Sequence, residues 1–489
     1  MSENPNAISI NQTPSWQGVL AESKLYIRIG LPILLTQLLL MCNGVIDTLM
    51  AGRSDRLQIG SLVRVTGLDS SQELAGIAIG NGLWILIMMF ALGFLFAITP
   101  LVAELFGARK ISAIGLLIRR LVWVSLGIGL MMMGLGMLTA FTLEPWLQEE
   151  TREITTGYLY LVSFSGIPLA FITMLRGYSE GMTFVRPVTF ITLLGVLLNI
   201  PLNLILIYGL FGLEPLGGVG CAIATTISNW TVFFVLLAYV RLAPQYRSSN
   251  LFAEFKLPIH LPTIKKLFTL GTPIAITMLI ELSMFPGITF LVAIKHLEPA
   301  LIAGHQITMT IAGVLYMFPL AIAITATIRI GGLVGGHKYP SIYPCCYFAL
   351  GLCLVQALFN SSALLAFRYD IAALFSDQPK VIATAATLMA FALFFQVFDG
   401  LQGTAIGLLR GFANTFVPML CVAFSYWIVG IPMAYLVAFT DWTGFAPQGV
   451  YGLWFGMTLG LMTVAGLLLI YLKWYLKSNR WRQPNASMI

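Results

Sequence analysis

Twelve long apolar runs divide this 489-residue chain, and they leave it few folds. The first six cover roughly 28–51, 74–104, 115–142, 156–178, 185–210 and 219–242. The second six cover roughly 267–294, 301–329, 341–367, 382–409, 416–439 and 449–475. A helix needs about 20 mostly apolar residues to cross bilayer hydrocarbon. The runs are continuous and do not alternate with period two, so they predict helices and not barrel strands. Only 10% of the residues are charged and 58% are hydrophobic, with a mean hydropathy of +0.88. A soluble globule of this size could not clothe its surface from that supply, where about 25% charged residues is usual. A cytosolic enzyme, a secreted disulfide scaffold and a disordered chain are all excluded. The fold expected is an all-α polytopic membrane protein, and no enzyme.

The net charge of +7 does not point to nucleic acid, because the basic residues sit in short breaks between apolar runs. With the N-terminus inside, twenty Lys and Arg fall on the cytoplasmic side and seven outside: Arg53, Arg56, Arg64, Arg152, Lys295, Arg368 and Lys380. This is a positive-inside pattern, predicting an inner (plasma) membrane protein with both termini cytoplasmic. Residues 1–24 are polar and the first apolar run is too long for a cleaved signal, so it should remain as an anchor. The six cysteines lie in or beside apolar runs without a Cys-x-x-Cys, and read as small buried hydrophobes.

The chain repeats itself. Gly30-Leu31-Pro32-Ile33 recurs as Gly271-Thr272-Pro273-Ile274, and Gly107-Ala108-Arg109-Lys110 recurs as Gly335-Gly336-His337-Lys338. Leu175-Arg176-Gly177-Tyr178 recurs as Leu409-Arg410-Gly411-Phe412. Pro187, Ile200-Pro201 and Gly218-Val219 recur as Pro418, Ile431-Pro432 and Gly449-Val450. An ordered series at nearly constant offset marks an internal duplication. Six spans per copy is an even number, so the two repeats are parallel, forming two lobes about a central cleft. The organisation expected is a cytoplasmic tail 1–25, an N-lobe 26–243, a linker 244–264 containing Pro244, Pro258 and Pro262, a C-lobe 265–476 and a tail 477–489.

Ionisable groups deep in apolar spans cost about 2.5–3.5 kcal/mol each, and so mark functional positions. Glu281 lies mid-run, Asp399 lies deep in its run, and Asp47 lies nearer the outer end of the first span. No Lys or Arg stands at comparable depth in the sequence. Each acid must then be protonated, be hydrated in a cavity, or bind a mobile cation. If a proton or sodium ion competes with an organic cation for the same oxygens, an ion gradient can drive export. The plainer alternative is a protonated carboxyl hydrogen-bonded inside the bundle. Asn43 precedes Asp47 by four residues and shares its helix face. Asn199 and Asn203 bracket Pro201, whose missing N–H frees carbonyl oxygens nearby. They suit a cation, or equally an interhelical hydrogen bond. Gln306 and His305 lie in the eighth run, and His305 reads as a packing residue. No second His or Cys stands at zinc spacing. Gly177-Tyr178-Ser179-Glu180-Gly181 fits a hydrolase elbow, but that motif requires a strand before it.

These residues resemble the multidrug and toxic compound extrusion (MATE) family, in its bacterial NorM-like branch. The resemblance rests on Gly30-x-Pro32 with Gln37, Val45 to Gly52, Leu175-Arg176-Gly177 with Gly181-Met182, and Asn199 to Asn203. It also rests on Leu216 to Cys221, Ala303-Gly304-His305-Gln306, and Ser425-Tyr426-Trp427 before Gly430-Ile431-Pro432. It implies twelve helices in two lobes and export of cationic amphipathic compounds against inward Na+ or H+, with no other cofactor. Glu281 and Asp399, with Gln306, match the C-lobe cation site, where a bound Na+ would use the two carboxylates. Asp47, Asn199 and Asn203, with Asn43, match the N-lobe cavity. Two features depart from the family. Phe395 stands where sodium-coupled relatives have a tyrosine, and the first outer loop carries a polar insertion near 55–71. The partners expected are the lipid bilayer and small organic cations, for a monomer that binds no nucleic acid. The alternatives are a flippase for a lipid-linked sugar, or another amphipathic-metabolite exporter. A flippase would want basic residues in the central cavity. A passive channel would repeat one pore motif, whereas these acids differ between the halves.

Overall fold

The fold is described from a computed structural model, which covers residues 16–51, 53–59, 62–65, 69–252, 259–294, 298–441 and 448–482. Much of both expected tails, part of the linker (253–258) and Lys295 lie outside the described residues.

The first half comprises α1 (Trp16–Ala51), α2 (Ser70–Leu95), α3 (Ile98–Gly107), α4 (Ile111–Leu143), α5 (Glu149–Ser163), α6 (Gly166–Gly181), α7 (Val185–Tyr208) and α8 (Gly217–Leu242). The second comprises α9 (Leu261–Ile294), α10 (Pro299–Gly335), α11 (Ile342–Ala373), α12 (Pro379–Gly411), α13 (Phe416–Ala423), α14 (Ile431–Phe439) and α15 (Val450–Lys477). Ten spans are long and apolar enough to cross a membrane as single stretches. Two bent pairs bring the number to twelve among the described residues: Thr151–Ser163 with Gly166–Gly181 (45°), and Pro379–Phe391 with Phe394–Gly411 (48°). These bends fall in the fourth and tenth spans, which are equivalent in the duplication. Large apolar side chains such as Phe190, Phe234, Phe359 and Ile470 stand exposed on the helix flanks, where a bilayer would cover them.

The polar insertion of the first outer loop contains a small hairpin. Strands β1 (Arg56–Ile59) and β2 (Leu62–Val65) pair antiparallel, with Arg56 opposite Val65. It departs from the all-helical expectation without touching the bundle architecture.

The duplication is written into the backbone. Left-handed residues end helices at Arg109 and His337, at Thr183 and Ala413, and at Asn250 and Asn479. Each pair sits at the repeat offset, so the two halves stop their helices in the same way. Each half has its own core. Leu95, Ile98, Leu121 and Cys221 lie in one, and Ile330, Phe395, Trp454 and Leu461 in the other. The leading helix of each half crosses over. Tyr26 of α1 is buried in the second core, and Leu267 and Ile274 of α9 are buried in the first.

The halves meet at the end bearing the 107–110 and 335–338 turns. A methyl group on Gly107 would overlap the Gly332 carbonyl, and one on Gly335 would overlap the Glu104 carbonyl. Residues 104 and 332 differ by the same offset as 107 and 335, so one backbone contact is made twice about a pseudo-twofold axis. This explains why the repeated glycines are there: no other residue lets the backbones approach this closely. Gly93 against Ala275 and Gly271 against Phe94 extend the seam. The partly buried ion pair Arg329–Glu22 crosses it, with contacts of 3.0 and 2.6 Å, and Tyr26 lies 3.7 Å from Cys345 beside it.

Two further motifs gain structural reasons. Gly217 takes φ +52° because a side chain there would strike the Glu73 carboxylate, which accepts a bond from the Gly218 N–H at 2.5 Å. An acid at the first turn of α8 complements the helix dipole. Ser179, the apparent hydrolase nucleophile, is fully buried. It donates to the Leu175 carbonyl and accepts from Tyr246.

Candidate functional site

In the first half, Asp47 sits one turn from the C-terminal end of α1. Asn199 and Asn203 are both fully buried on α7, and Asn203 Nδ2 bridges Asp47 Oδ1 (2.6 Å) and Asn199 Oδ1 (2.9 Å). From α8, Thr225 donates to Asp47 Oδ2 at 3.1 Å, and the Cys221 thiol also bonds the carboxylate. Cys221 and Thr225 are four residues apart and share a face, as do Asn199 and Asn203. Pro201 sits between the asparagines inside α7 and cannot donate a helix bond. Asp47 is thus enclosed by donors from two neighbouring helices.

Below it, Asn43 lines a cavity of about 80 Å3 with Arg176, Ser228 and Asn229. Among the described residues, the Oδ1 of Asn43 and the Oγ of Ser228 are buried there without a hydrogen-bond partner. Arg176 is matched on both sides, donating to Glu180 at 2.5 Å and to Gln37 at 2.6 Å.

In the second half, Glu281 of α9 accepts a bond from Gln402 of α12 at 2.7 Å. The Tyr426 hydroxyl donates to Gln402 Oε1 at 2.6 Å, which fixes the amide with its NH2 toward the acid. Tyr426 comes from a π-helical stretch, Phe424–Gly430, that ends just before Pro432. Such π turns re-aim side chains and recur at functional sites. Asp399 lies three residues before Gln402 on the same face of α12, within electrostatic range of Glu281. It is largely buried, and among the described residues it accepts no hydrogen bond. Tyr316 of α10 and Cys353 of α11 complete the surroundings.

Among the described residues, no Lys or Arg nitrogen lies within 4 Å of Asp47, Glu281 or Asp399. One basic residue comes into electrostatic range of Glu281: Arg410, half-buried at the foot of α12, three turns below Asp399. Its position at the edge of the tenth run concealed this. Helical side chains lean toward the helix N-terminus, so a long arginine reaches back into the span.

Gln306 is exposed on α10, two turns from Gly313, which faces Met41 of α1. Its neighbour His305 is buried and accepts from the Trp454 indole at 3.1 Å, in a packing role. Phe395 packs tilted against the same Trp454, with centroids 5.6 Å apart. The hydroxyls near the acids come instead from Tyr426 and Tyr316. Sequence reasoning missed Thr225, Cys221, Gln402, Tyr316 and Arg410 as site residues. The available signals were the i,i+4 spacing of 221 and 225, and the i,i+3 spacing of 399 and 402.

This arrangement defines a class: a twice-repeated, six-span membrane protein with one acid cluster in each half. The MatE family model matches residues 32–205 and again 273–436, and the chain belongs to that family. It is 33% identical to the multidrug resistance protein NorM of Aliivibrio fischeri over 92% of this chain and 94% of that one. It is 35% identical to the multidrug resistance protein PmpM of Pseudomonas aeruginosa over 92% and 91%. Its fold matches an outward-facing multidrug resistance MATE transporter of the MOP superfamily with a TM-score of 0.81, at 17% identity over 96% of this chain and 99% of that one. It also matches the eukaryotic MATE transporter AtDTX14 with a TM-score of 0.78, at 20% identity over 95% and 99%.

Proposed function

We propose that this protein is a secondary active antiporter of the inner membrane. It exports cationic amphipathic compounds in exchange for inward H+ or Na+. The observation that carries this is the pair of half-buried Glu281 and buried Asp399 in one cluster, with no ion-paired base and no hydrogen bond to Asp399 among the described residues. A carboxylate in that setting gains most from a travelling cation, and two travelling cations would exclude one another there. The multidrug resistance names of NorM and PmpM support the substrate class.

The seam supports alternating access. The halves touch at the end with the basic turns, which the positive-inside pattern assigns to the cytoplasm. On this reading the acids lie beyond that seam, and rocking about the glycine contacts would expose them to the two sides in turn. On this reading both termini are cytoplasmic, and one chain suffices as the transporting unit. The flippase alternative asks for free basic groups in the cavity. Arg176, which lines the N-half cavity, is not free, being matched by Glu180 and Gln37.

The test is ethidium efflux from loaded vesicles under separately imposed Na+ and H+ gradients. One gradient should drive efflux in the wild type. Glu281→Gln and Asp399→Asn should each abolish the driven component while the protein still inserts. Wild-type transport in both variants would refute the assignment.

A further inference from the structure

Two exposed arginines at the seam end of the first half have no carboxylate within 4 Å among the described residues: Arg28 of α1 and Arg186 in the first turn of α7. Both line one cavity of about 130 Å3, together with Thr183 and Gln245. Helix α7 starts at the wall of this cavity without a side-chain cap, so the positive end of its dipole adds to the two guanidinium groups. The two helices are fixed to each other one turn further along. There Thr189 of α7 donates to the Pro32 carbonyl of α1 at 2.9 Å and lies 2.9 Å from the Thr36 hydroxyl. Ile29 and Val185 share a small core beside them. Like charges held at one cavity repel, and an anion between them removes that cost.

Each arginine also heads an exposed apolar stripe. Arg28 shares a face of α1 with Leu31 and Leu35, and Arg186 shares a face of α7 with Phe190, Leu194 and Leu197. The halves touch at this end, which leaves the bilayer to cover the stripes where they begin. The duplication did not supply the arginine pair. Aligning Gly30-x-Pro32 with Gly271-x-Pro273, and Pro187 with Pro418, puts Thr269 and Val417 at the matching positions of the second half.

We propose that the cavity between Arg28 and Arg186 binds the phosphate of an anionic phospholipid of the inner leaflet, with its acyl chains along the two apolar stripes. The leaflet follows from the positive-inside pattern, which assigns this end to the cytoplasm. Basic pockets between helices on that side suit phosphate headgroups, and guanidinium forks match phosphate oxygens in pairs. Free phosphate would use the same donors but would leave both stripes without a role. An arginine that serves only to orient the chain needs neither a cavity nor a second arginine from another helix. The bound lipid ties α1 to α7 close to where α1 enters the second core at Tyr26. It lies apart from both acid clusters and does not depend on what the protein transports.

The test is thermal unfolding of the full chain in a neutral detergent, titrated with phosphatidylglycerol, phosphatidylcholine, glycerophosphate or inorganic phosphate. Phosphatidylglycerol should raise the melting temperature saturably and well beyond phosphatidylcholine. Arg28→Gln and Arg186→Gln should each raise its half-saturating concentration by about fivefold, and together by about thirtyfold. Both side chains are exposed, so the variants should fold. Arg28→Lys with Arg186→Lys should stay within about fivefold of wild type, since the charge is kept and only the fork is lost. Lys473→Gln with Lys477→Gln removes the same charge from the end of α15 on that side and should leave the titration unchanged. An equal loss in that control would make the attraction a property of the whole basic face and overturn the site. An unchanged response in the double glutamine variant would overturn it too. Equal stabilisation by glycerophosphate or inorganic phosphate at the same concentration would overturn the lipid assignment.

Discussion

In the N-half, Asp47 is held by Asn203, Thr225 and Cys221, and the nearby Arg176 is cancelled by Glu180. In the C-half, among the described residues, Glu281 accepts from one amide, Asp399 accepts no hydrogen bond, and Arg410 has no carboxylate within 4 Å. The helices, bends and left-handed caps of the halves correspond, so the scaffold does not cause the difference. A handful of side chains do. Duplication supplied two equal frames. One was filled until its charges were satisfied, and the other was left short of partners. Unsatisfied charge in a low-dielectric interior is costly, so where it persists an outside ion is the natural partner. On the proposed function, exchange belongs to the C-half and a preorganised polar pocket to the N-half.

The largest expected effect tests that division. Asp399→Asn should cut gradient-driven ethidium efflux by at least about tenfold, whereas Asp47→Asn should cut it by only about threefold, both read as initial rates against expression level. An equal loss in both would break the comparison. A greater loss at Asp47 would reverse it.

The seam comes next. Glu22→Gln leaves the partly buried Arg329 without its partner and should cost about 1–3 kcal/mol, less than a fully buried pair because the Arg329 side chain is 18% exposed. The melting temperature should fall, and thiol labelling of a cysteine introduced near Gly335 should speed up as the seam loosens. Restoring the pair in reverse, with Glu22→Arg and Arg329→Glu together, should recover much of both. Labelling that does not change would separate this ion pair from the closed end.

The smallest effect sharpens the chemistry of the C-half. Phe395→Tyr should raise the sodium dependence of efflux by about twofold if its hydroxyl can turn from Trp454 toward the acids. An unchanged sodium response would show that Tyr426 and Tyr316 already supply the available hydroxyls.

The sequence made the spans, the duplication and the three acids legible for a physical reason. Lipid demands continuous apolar runs, and a charge within one stands out. The Gly107 and Gly335 match was visible as a repeat, but its cause, a backbone contact made twice across the seam, needed the fold. The hairpin in 55–71 lay in a stretch whose composition says nothing about pairing. Gln402 looked like any polar residue in an apolar run until Tyr426 was seen to orient it, and the π turn that aims Tyr426 has no plain sequence signature. Of the neighbours His305 and Gln306, it is His305 that is buried, a distinction their shared motif does not reveal. Arg410 was hidden because span ends are counted along the backbone, while long side chains reach a turn or more beyond it.

The account stands on mutual exclusion at Glu281 and Asp399. The most direct measurement is the dissociation constant of tetraphenylphosphonium for the wild-type protein in nanodiscs, determined across a sodium series and, separately, across a pH series. The constant should rise in proportion to the concentration of the coupling ion, H+ or Na+, and that dependence should vanish in Asp399→Asn. A constant indifferent to both ions, with organic cation and coupling ion bound together, would contradict it.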